Sequence, residues 1–411
     1  MRLLIVQPTA DKRGHYGLYT AKLCQALGRL GHDVTLCTNR IAISRYLAEP
    51  PSFRVVEVGN GTLAFEPFDR ESGQQRGAYY LAYFRNCRAV TSAAVRLCRR
   101  GATFDGVVIM DTEFLTASVV LNWSLGRLPP FVMLLWAANF SFASYAGSLP
   151  KRAYKVLQRE IFRATLGRRI RALGVLSEWH REVLRKQLRL PKEFPVGIVP
   201  DGADIVEPAL TQEAARSSLG LRDARTVFLF FGVLRRDKGI EFLLQAMKQI
   251  ESSDVLLVVA GWPMEYRSED VQHVVETLGL SGRVILNLRY VPDEDVTMYF
   301  AACDAVIFPY TRQYTGGSGP LLKQACTYAR PVIASDVSDL GRLVREHRFG
   351  LLAEPENPRA LARRMLEFDA LDEDARRVLA ERARGLAGLH TWDAVAQRLG
   401  ELLSRVVGQP V

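Results

Sequence analysis

Short apolar runs rich in Val, Ile, Leu and Phe alternate with helix-forming segments along the whole chain. Runs that are apolar at every position suit strands buried on both faces, as in parallel sheets covered by helices. Each half of the chain contains six such runs, so the repeated strand–helix order predicts an α/β protein with two doubly wound parallel sheets. The predicted strands are Leu3–Gln7, Val34–Thr38, Val55–Val58, Gly106–Met110, Phe131–Leu135, Gly174–Leu176, Val227–Phe231, Val255–Ala260, Val284–Leu286, Ala305–Phe308, Val332–Ala334 and Leu351–Ala353.

The chain length and one turn-rich segment predict where two domains meet. The 411 residues suit two domains of about 200 residues each. Pro, Gly and Asp cluster at 199–204, which is typical of a connector. We therefore expect Rossmann-like domains at 1–197 and 198–385, followed by a C-terminal helix within 386–411.

The composition is that of a globular protein in water. Hydrophobic residues make up 48% and charged residues 24%, which excludes disordered, collagen-like and coiled-coil chains. The six cysteines form no Cys-x-x-Cys pair, so we expect reduced, mostly buried thiols and neither a zinc site nor a disulfide framework. Polar residues interrupt the apolar stretch Leu128–Pro150, and the apolar run after Met1 is too short for a signal peptide. We expect a cytoplasmic protein without a transmembrane segment.

Positive charge is concentrated in the first half of the chain. Residues 1–200 hold 29 Lys and Arg against 14 Asp and Glu, whereas residues 201–411 hold 25 against 30. The excess is greatest in 151–192, where four basic residues spaced by four share one helix face. They are Lys151, Lys155, Arg159 and Arg163. This face is either a solvated surface or a surface for anionic lipid or a pyrophosphate-linked acceptor. The lack of interleaved aromatic residues or a recognition motif argues against nucleic acid.

Three loops follow predicted strands and precede predicted helices, which is where ligands bind in open α/β sheets. The first loop, Thr9–Gly17, contains Gly14 and His15 and runs into a helix expected to begin near Tyr19. Its glycines permit close approach of the backbone to a phosphate or a sugar. A structural turn and a binding loop are both compatible with this sequence.

The second loop, Phe231–Gly239, places cations at the end of a strongly apolar strand. Arg235 and Lys238 lie just before a predicted helix, which suits a diphosphate. A solvated loop is the alternative.

The third loop, Pro309–Ala325, is rich in glycine and also runs into a helix. Pro320 suits the first helical turn, where a missing N–H costs nothing. Free backbone N–H groups at the start of this helix can bind an anion. The alternative is a tight turn without a ligand, which would account for one glycine but less well for the three glycines present. The groups expected to line the site are Gly317, Ser318, Gly319, Leu321 and Leu322.

The second half of the chain resembles the nucleotide-sugar-binding domain of the GT-B glycosyltransferases, specifically family 4. The connector 200–204 and the segment 31–34 also resemble short motifs of that family. The matching segments of the second half are 231–239, 258–261, 284–295, 299–309 and 329–336.

The resemblance implies a GT-B protein whose two domains face a central cleft and whose last helix crosses back to the first domain. It implies a retaining transfer from a nucleotide-diphosphate sugar, with no cofactor and no obligatory metal. Lys238 matches the family lysine, and Arg235 takes the role of an arginine that the family carries at the position of Val233. Both would grip the diphosphate. The base and ribose are expected along Gly261–Pro263 and along Tyr290 and Val291.

The chain departs from the family pattern at residues that matter for catalysis. The family's two glutamates, spaced Glu-x7-Glu, correspond here to Gly316 and Gln324. Gln324 can still hydrogen-bond a ribose hydroxyl, whereas Gly316 offers no side chain. Trp136 stands where the family often has a histidine. Asp111 either orients an acceptor hydroxyl or caps a loop, and His15 is a second candidate because its loop faces the expected cleft.

Three functions stay open at this stage. The first is a retaining glycosyltransferase that extends a saccharide acceptor on a lipid carrier, polyprenyl-linked for example, at the anionic inner face of the cytoplasmic membrane. The second keeps the same nucleotide-sugar donor but uses a soluble small-molecule acceptor. The third is a non-catalytic GT-B partner, which loss of the two glutamates favours and retention of Lys238 and Arg235 opposes.

Overall fold

Two compact units make up the chain, Met1–Asp201 with Trp392–Val411, and Gly202–Thr391. The computed structural model describes residues 1–10, 15–39, 41, 43–58, 76–99, 103–111, 128–136, 149–207, 210–221, 224–314, 316–317 and 319–406. The expected boundary between residues 197 and 198 falls inside a strand of the first unit. The expected terminal segment 386–411 is divided at residue 391.

The first unit is built on a seven-stranded sheet in which every pair of neighbouring strands is parallel. From β1 to β7 the strands are Arg2–Gln7, Asp33–Thr38, Arg54–Glu57, Gly106–Asp111, Phe131–Leu135, Ile170–Val175 and Val196–Ile198. Their order is β3-β2-β1-β4-β5-β6-β7. Five of them match predicted strands closely, and β6 begins four residues before the predicted strand Gly174–Leu176 and overlaps it at two residues. The sequence did not reveal β7, because three residues with a central glycine carry too little apolar pattern to indicate a strand.

Helices of the first unit cover both faces of its sheet. They include α1 (His15–Arg29), α2 (Arg76–Arg99), α3 (Leu149–Thr165) and α4 (Glu178–Leu188). Helix α1 begins at His15, four residues before the expected start. It turns Leu23 and Leu27 to the core, since residues four apart share a helix face.

The second unit repeats this architecture with six parallel strands. From β8 to β13 the strands are Thr226–Phe231, Val255–Ala260, Val284–Asn287, Ala305–Phe308, Val332–Ser335 and Gly350–Ala353. Their order is β10-β9-β8-β11-β12-β13, and all six match predicted strands. The helices are α5 (Gln212–Ser218), α6 (Ile240–Lys248), α7 (Ser268–Thr277), α8 (Asp293–Ala302), α9 (Ser338–His347), α10 (Pro358–Asp369) and α11 (Glu373–Leu389).

The last helix, α12 (Trp392–Ser404), packs in the first unit against α1. Its apolar face carries Leu399 and Leu402, and Leu402 lies directly over Gly197 of β7. A salt bridge joins Arg29 Nη2 to Asp393 Oδ1 at 2.5 Å. Helix α12 therefore completes the hydrophobic core of the first unit, although most of that unit is formed by residues 1–201. No helix in the described ranges is both long and apolar enough to cross a membrane.

The strand order of the second sheet locates a candidate binding region. The chain runs outward from β8 through β9 to β10 and then returns to β11 on the other side of β8. The connections therefore reverse direction between β8 and β11, and in such sheets ligands bind beside the carboxyl ends of the strands at this reversal. The second and third loops of the sequence analysis follow β8 and β11.

Candidate functional site

The loop after β8 is held against its neighbours by glycines that tolerate no side chain. Gly239 has a φ of 67°, and a Cβ there would overlap the carbonyl oxygen of Pro309 after β11. Gly261, after β9, has a φ of 151°, and a Cβ there would overlap the carbonyl group of Gly232. Glycine permits both the left-handed backbone and the close approach. The loops after β8, β9 and β11 therefore meet at the carboxyl edge of the sheet.

Lys238 is the cation best placed to receive a ligand in this region. Its ammonium nitrogen lies 5.6 Å from the centroid of the Tyr310 ring, a cation–π geometry. It makes no hydrogen bond or salt bridge with any described residue. Burial, and secondly the charge of Arg235, lower the pKa of Lys238 to about 8. An anion bound here would supply the countercharge that the lysine lacks.

Arg235 is engaged by Asp237, a residue that the sequence analysis did not single out. Arg235 Nε and Nη2 donate to Asp237 Oδ1 and Oδ2 at 3.0 and 2.8 Å. The carbonyl of Asp237 accepts from the Thr311 backbone N–H at 3.0 Å and lies 3.3 Å from Thr311 Oγ1. Asp237 thus orients the guanidinium and ties the loop after β8 to the loop after β11. The sequence does contain a signal for this ion pair, because an aspartate stands two residues after an arginine in a short loop.

Gln324 lies beside the same glycine as Lys238. A Cβ on Gly232 would stand 3.3 Å from Lys238 Nζ and 3.5 Å from Gln324 Nε2. Gln324 Oε1 is buried without a hydrogen-bond partner among the described residues. Gln324, the residue expected to bind the ribose, therefore lies close to Lys238, the residue expected to bind the diphosphate. A glutamate at 324 would bring a carboxylate to the neighbourhood of that lysine.

The helix after the third loop is locally widened. It starts at Gly319 and takes a π-helical form over Leu321–Cys326. The carbonyl of Leu322 accepts from the Thr327 backbone N–H at 3.2 Å and lies 3.0 Å from Thr327 Oγ1. The side chains of Leu321 and Leu322 are buried, so only their backbones can serve a ligand. Single π-helical turns are frequent at functional sites. Ser318 lies outside the described residues.

The expected base and ribose residues occupy different environments. Tyr290 is 48% exposed, and its hydroxyl donates to Asp293 Oδ1 at 3.2 Å. Val291 is buried in the hydrophobic core of the second unit. The Gly261 backbone N–H donates to the Asn287 carbonyl at 3.0 Å. The Tyr290 side chain is therefore at the surface, whereas Val291 contributes packing.

The candidate acceptor residues of the first unit are only partly described. Asp111 ends β4 in register with Leu135, and His15 is the first residue of α1. The side chains of both, and the whole of Gly14, lie outside the described residues. Trp136 follows β5, and its ring lies 4.5 Å from that of Tyr19 and 5.4 Å from that of Tyr16.

The basic face of α3 is partly neutralised. Arg159 Nη2 and Arg163 Nη1 each lie 2.7 Å from a carboxylate oxygen of Glu160. The side chains of Lys151 and Lys155 lie outside the described residues. Leu157 on the same helix is 59% exposed, and Val156 is 39% exposed. The helix therefore combines basic residues with exposed apolar side chains.

Two tyrosines near Lys238 are further residues that sequence reasoning missed. Tyr310 is 1% exposed, and its hydroxyl is buried with no hydrogen-bond partner among the described residues. Tyr314 packs on it with ring centroids 4.5 Å apart. Aromatic residues in a glycine-rich loop carry no periodic signal, so only the folded loop places them beside the lysine.

Comparisons with known proteins agree with this architecture. Residues 211–385 match the family model of the glycosyl transferases group 1. The chain is 28% identical over 226 residues to the D-inositol 3-phosphate glycosyltransferase of Corynebacterium urealyticum, covering 52% of each chain. It is 23% identical over 374 residues to a Bacillus subtilis glycosyltransferase named for teichuronic acid biosynthesis, covering 89% of this chain and 87% of that protein. The chain thus spans about half of the first relative and most of the second.

A solved structure extends the likeness over both units. The Anabaena protein HepE, crystallised with UDP, superposes with a TM-score of 0.72 at 18% identity, covering 98% of this chain and all of that one. Likeness at this identity concerns the fold, and it confirms the predicted pair of Rossmann-like parallel-sheet domains. Residues 211–385 thus match the group 1 glycosyltransferase family model, in a chain that has the GT-B fold.

Proposed function

We propose that this chain transfers a sugar, with retention of anomeric configuration, from a nucleotide-diphosphate donor to a lipid-linked saccharide. The observation that carries the proposal is the ammonium of Lys238. It stands at the carboxyl end of β8, beside the reversal in strand order, without an anionic partner among the described residues. A cation in this position matches the charge of a diphosphate.

The donor site is assembled from three loops of the second unit. Lys238 neutralises the diphosphate directly. Arg235 and Asp237 carry opposite charges and together orient the loop, and the N–H groups of Arg235 that do not bind Asp237 donate to the diphosphate. Gln324 contacts the ribose or the adjoining phosphate, and Tyr290 offers a ring to the base. That HepE was crystallised with UDP supports a nucleoside diphosphate as the ligand of this fold. That the transfer needs no metal stays a prediction.

The transfer step separates charge in a way that this site can stabilise. The bond between the anomeric carbon and the diphosphate oxygen breaks, and its electron pair stays with the leaving diphosphate. The acceptor hydroxyl oxygen bonds to the anomeric carbon on the same face, and its proton passes to the departing diphosphate oxygen. Lys238 stabilises the charge that develops on the leaving group, which is where such a cation contributes most. Asp111 and His15 remain our candidates to orient the acceptor hydroxyl.

The acceptor is inferred from the first unit and from one relative. The Bacillus subtilis relative is named as a glycosyltransferase of teichuronic acid biosynthesis, which supports a saccharide acceptor. Helix α3 joins basic residues to the exposed Leu157, a combination that suits an anionic lipid surface. We therefore propose peripheral binding at the inner face of the cytoplasmic membrane.

A soluble acceptor is the second candidate. The relative from Corynebacterium urealyticum is named for D-inositol 3-phosphate, a small soluble molecule. If this chain also uses a soluble acceptor, its activity should not depend on lipid vesicles.

The proposed donor chemistry is tested with a panel of nucleotide-sugars. Purified protein is incubated with UDP-, GDP-, ADP- and TDP-linked sugars, and release of the nucleoside diphosphate is measured with and without lipid-linked or soluble acceptors. We expect turnover with one base. Lys238→Ala should lower affinity for that diphosphate about tenfold or more, because a charge-assisted hydrogen bond contributes roughly 1.5–3 kcal/mol.

Lys248→Ala is the matched control, since Lys248 ends α6 away from the loop. A folded wild-type protein that binds and cleaves no member of the panel would exclude the proposed transfer.

A further inference from the structure

The ring of Tyr314 leaves no space for a side chain at position 316 of this loop. A Cβ built on Gly316 would overlap the hydroxyl oxygen and Cζ of Tyr314 and would stand 2.8 Å from its Cε2. Real Cβ atoms do not approach other atoms this closely, and the atoms here belong to a ring that cannot bend aside. The phenol of Tyr314 therefore occupies the space that a side chain at position 316 would enter.

Tyr314 itself is held on several sides. It is 5% exposed and packs against the ring of Tyr310. Its backbone N–H donates to the Thr311 carbonyl at 3.0 Å, and its hydroxyl donates to the Gly317 carbonyl at 3.1 Å. A buried phenol with its hydrogen bond satisfied is a rigid element, so Gly317 is fixed to the ring.

The ring that Tyr314 packs on is part of the environment of Lys238. Tyr310 faces the Lys238 ammonium, and Thr311 is bonded to Asp237, the partner of Arg235. Tyr310 also has a buried hydroxyl without a partner among the described residues. Gly317, Tyr314, Tyr310 and Lys238 thus form one continuous chain of contacts at the end of β11 and β8.

We propose that Tyr314 is a positioning residue for the diphosphate of the donor. It holds Gly317 through its hydroxyl, and it excludes every side chain, a carboxylate included, from position 316. The inference rests on the donor function proposed above. It explains how the site works without a glutamate at 316: the loop is shaped by an internal phenol, and no negative charge from that position opposes the diphosphate. The ligand is a nucleoside diphosphate, and we expect this loop to contribute more to binding of its terminal phosphate than to binding of its base.

A double-mutant cycle tests the steric part of the inference. Affinity is measured by calorimetry for UDP, GDP and ADP, and the tightest diphosphate is compared with its monophosphate. Gly316→Ala should weaken diphosphate binding about tenfold, and in a Tyr314→Leu background the same change should have little further effect, because the obstructing ring atoms are gone. Equal losses in both backgrounds would overturn the exclusion.

The hydrogen bond to Gly317 is tested by a milder variant. Tyr314→Phe keeps the ring and removes the hydroxyl, so folding should survive. We expect diphosphate affinity to fall by a factor of about three to ten while monophosphate affinity stays unchanged. Equal losses for both ligands, or no loss for either, would overturn the positioning role. A wild-type protein that binds none of the nucleotides refutes the donor function as well, whereas wild-type binding with an additive cycle refutes only the role of Tyr314.

Discussion

At the scale of single residues, the proposed donor site is defined by the side chains that surround Lys238. The lysine has an aromatic ring on one side, an arginine nearby and a neutral glutamine where a glutamate would carry charge. Burial and the neighbouring Arg235 both favour the uncharged amine, and the Asp237 carboxylate only partly opposes them. The site is therefore short of negative charge until a ligand arrives.

This shortage predicts a pH dependence of nucleotide affinity. With a pKa of about 8, Lys238 is charged below that pH and loses its proton above it. Diphosphate affinity should be flat below pH 8 and fall by up to about tenfold per pH unit above it, because binding then takes up one proton. Calorimetry between about pH 6.5 and 9.5 measures the slope.

Lys238→Arg is the matched variant for this profile, since a guanidinium stays charged throughout. Its diphosphate affinity should not vary above pH 8, even if it is lower overall. The free energy of unfolding should change with pH in the opposite direction to nucleotide affinity. The pKa of Lys238 is lower in the folded chain than in the unfolded chain, so the contribution of Lys238 to the free energy of unfolding rises as the pH rises above about 8. An affinity that rises above pH 8 in the wild type would contradict the assignment.

At the scale of secondary-structure elements, α12 and β7 show how the first unit is closed. The helix lies on α1, and Leu402 lies against Gly197 in a strand too short to stand out in the sequence. Leu399 is completely buried in the same core. The last helix is thus a structural part of the unit formed by the start of the chain, although more than 300 residues lie between α1 and α12 in the sequence.

A cavity in this interface should destabilise the first unit. Leu399→Ala removes a buried side chain, and large-to-small changes of this kind cost about 2–5 kcal/mol. Glu401→Ala, on the exposed face of the same helix, should change stability by less than about 0.5 kcal/mol. Urea denaturation followed by fluorescence gives both values. Equal midpoints for the two variants would show that α12 is not part of this core.

At the scale of the whole molecule, the excess of positive charge belongs to the first unit. The sequence carries a net charge of +10, and the excess lies in the first 200 residues. Within α3, however, Glu160 pairs with both Arg159 and Arg163, so the basic face is weaker than the sequence suggests. The exposed Leu157 adds an apolar contribution that charge counting does not include.

This arrangement predicts salt-sensitive membrane binding through the first unit. The protein should sediment with vesicles containing anionic lipid at low salt and be released at about 0.5 M salt, since each basic residue near the surface contributes about 1 kcal/mol and salt screens it. Leu157→Glu should reduce binding. Leu366→Glu, which alters an exposed leucine of the second unit, should not. Absence of vesicle binding at low salt would favour the soluble acceptor, and binding that does not change with salt or lipid charge would contradict the role of the basic residues.

The sequence by itself determined the architecture, because apolar runs of parallel strands are local and strong signals. It predicted segments that overlap twelve of the thirteen strands in the described part of the chain, and it singled out Lys238 as a candidate from the loop that follows β8. Only the tertiary structure showed that Arg235 is engaged by Asp237, that Tyr310 faces Lys238 and that Tyr314 fills the space beside Gly316. These contacts join side chains across loops with irregular backbones. No periodicity encodes such contacts, and their geometry exists only once the strands have brought the loops together.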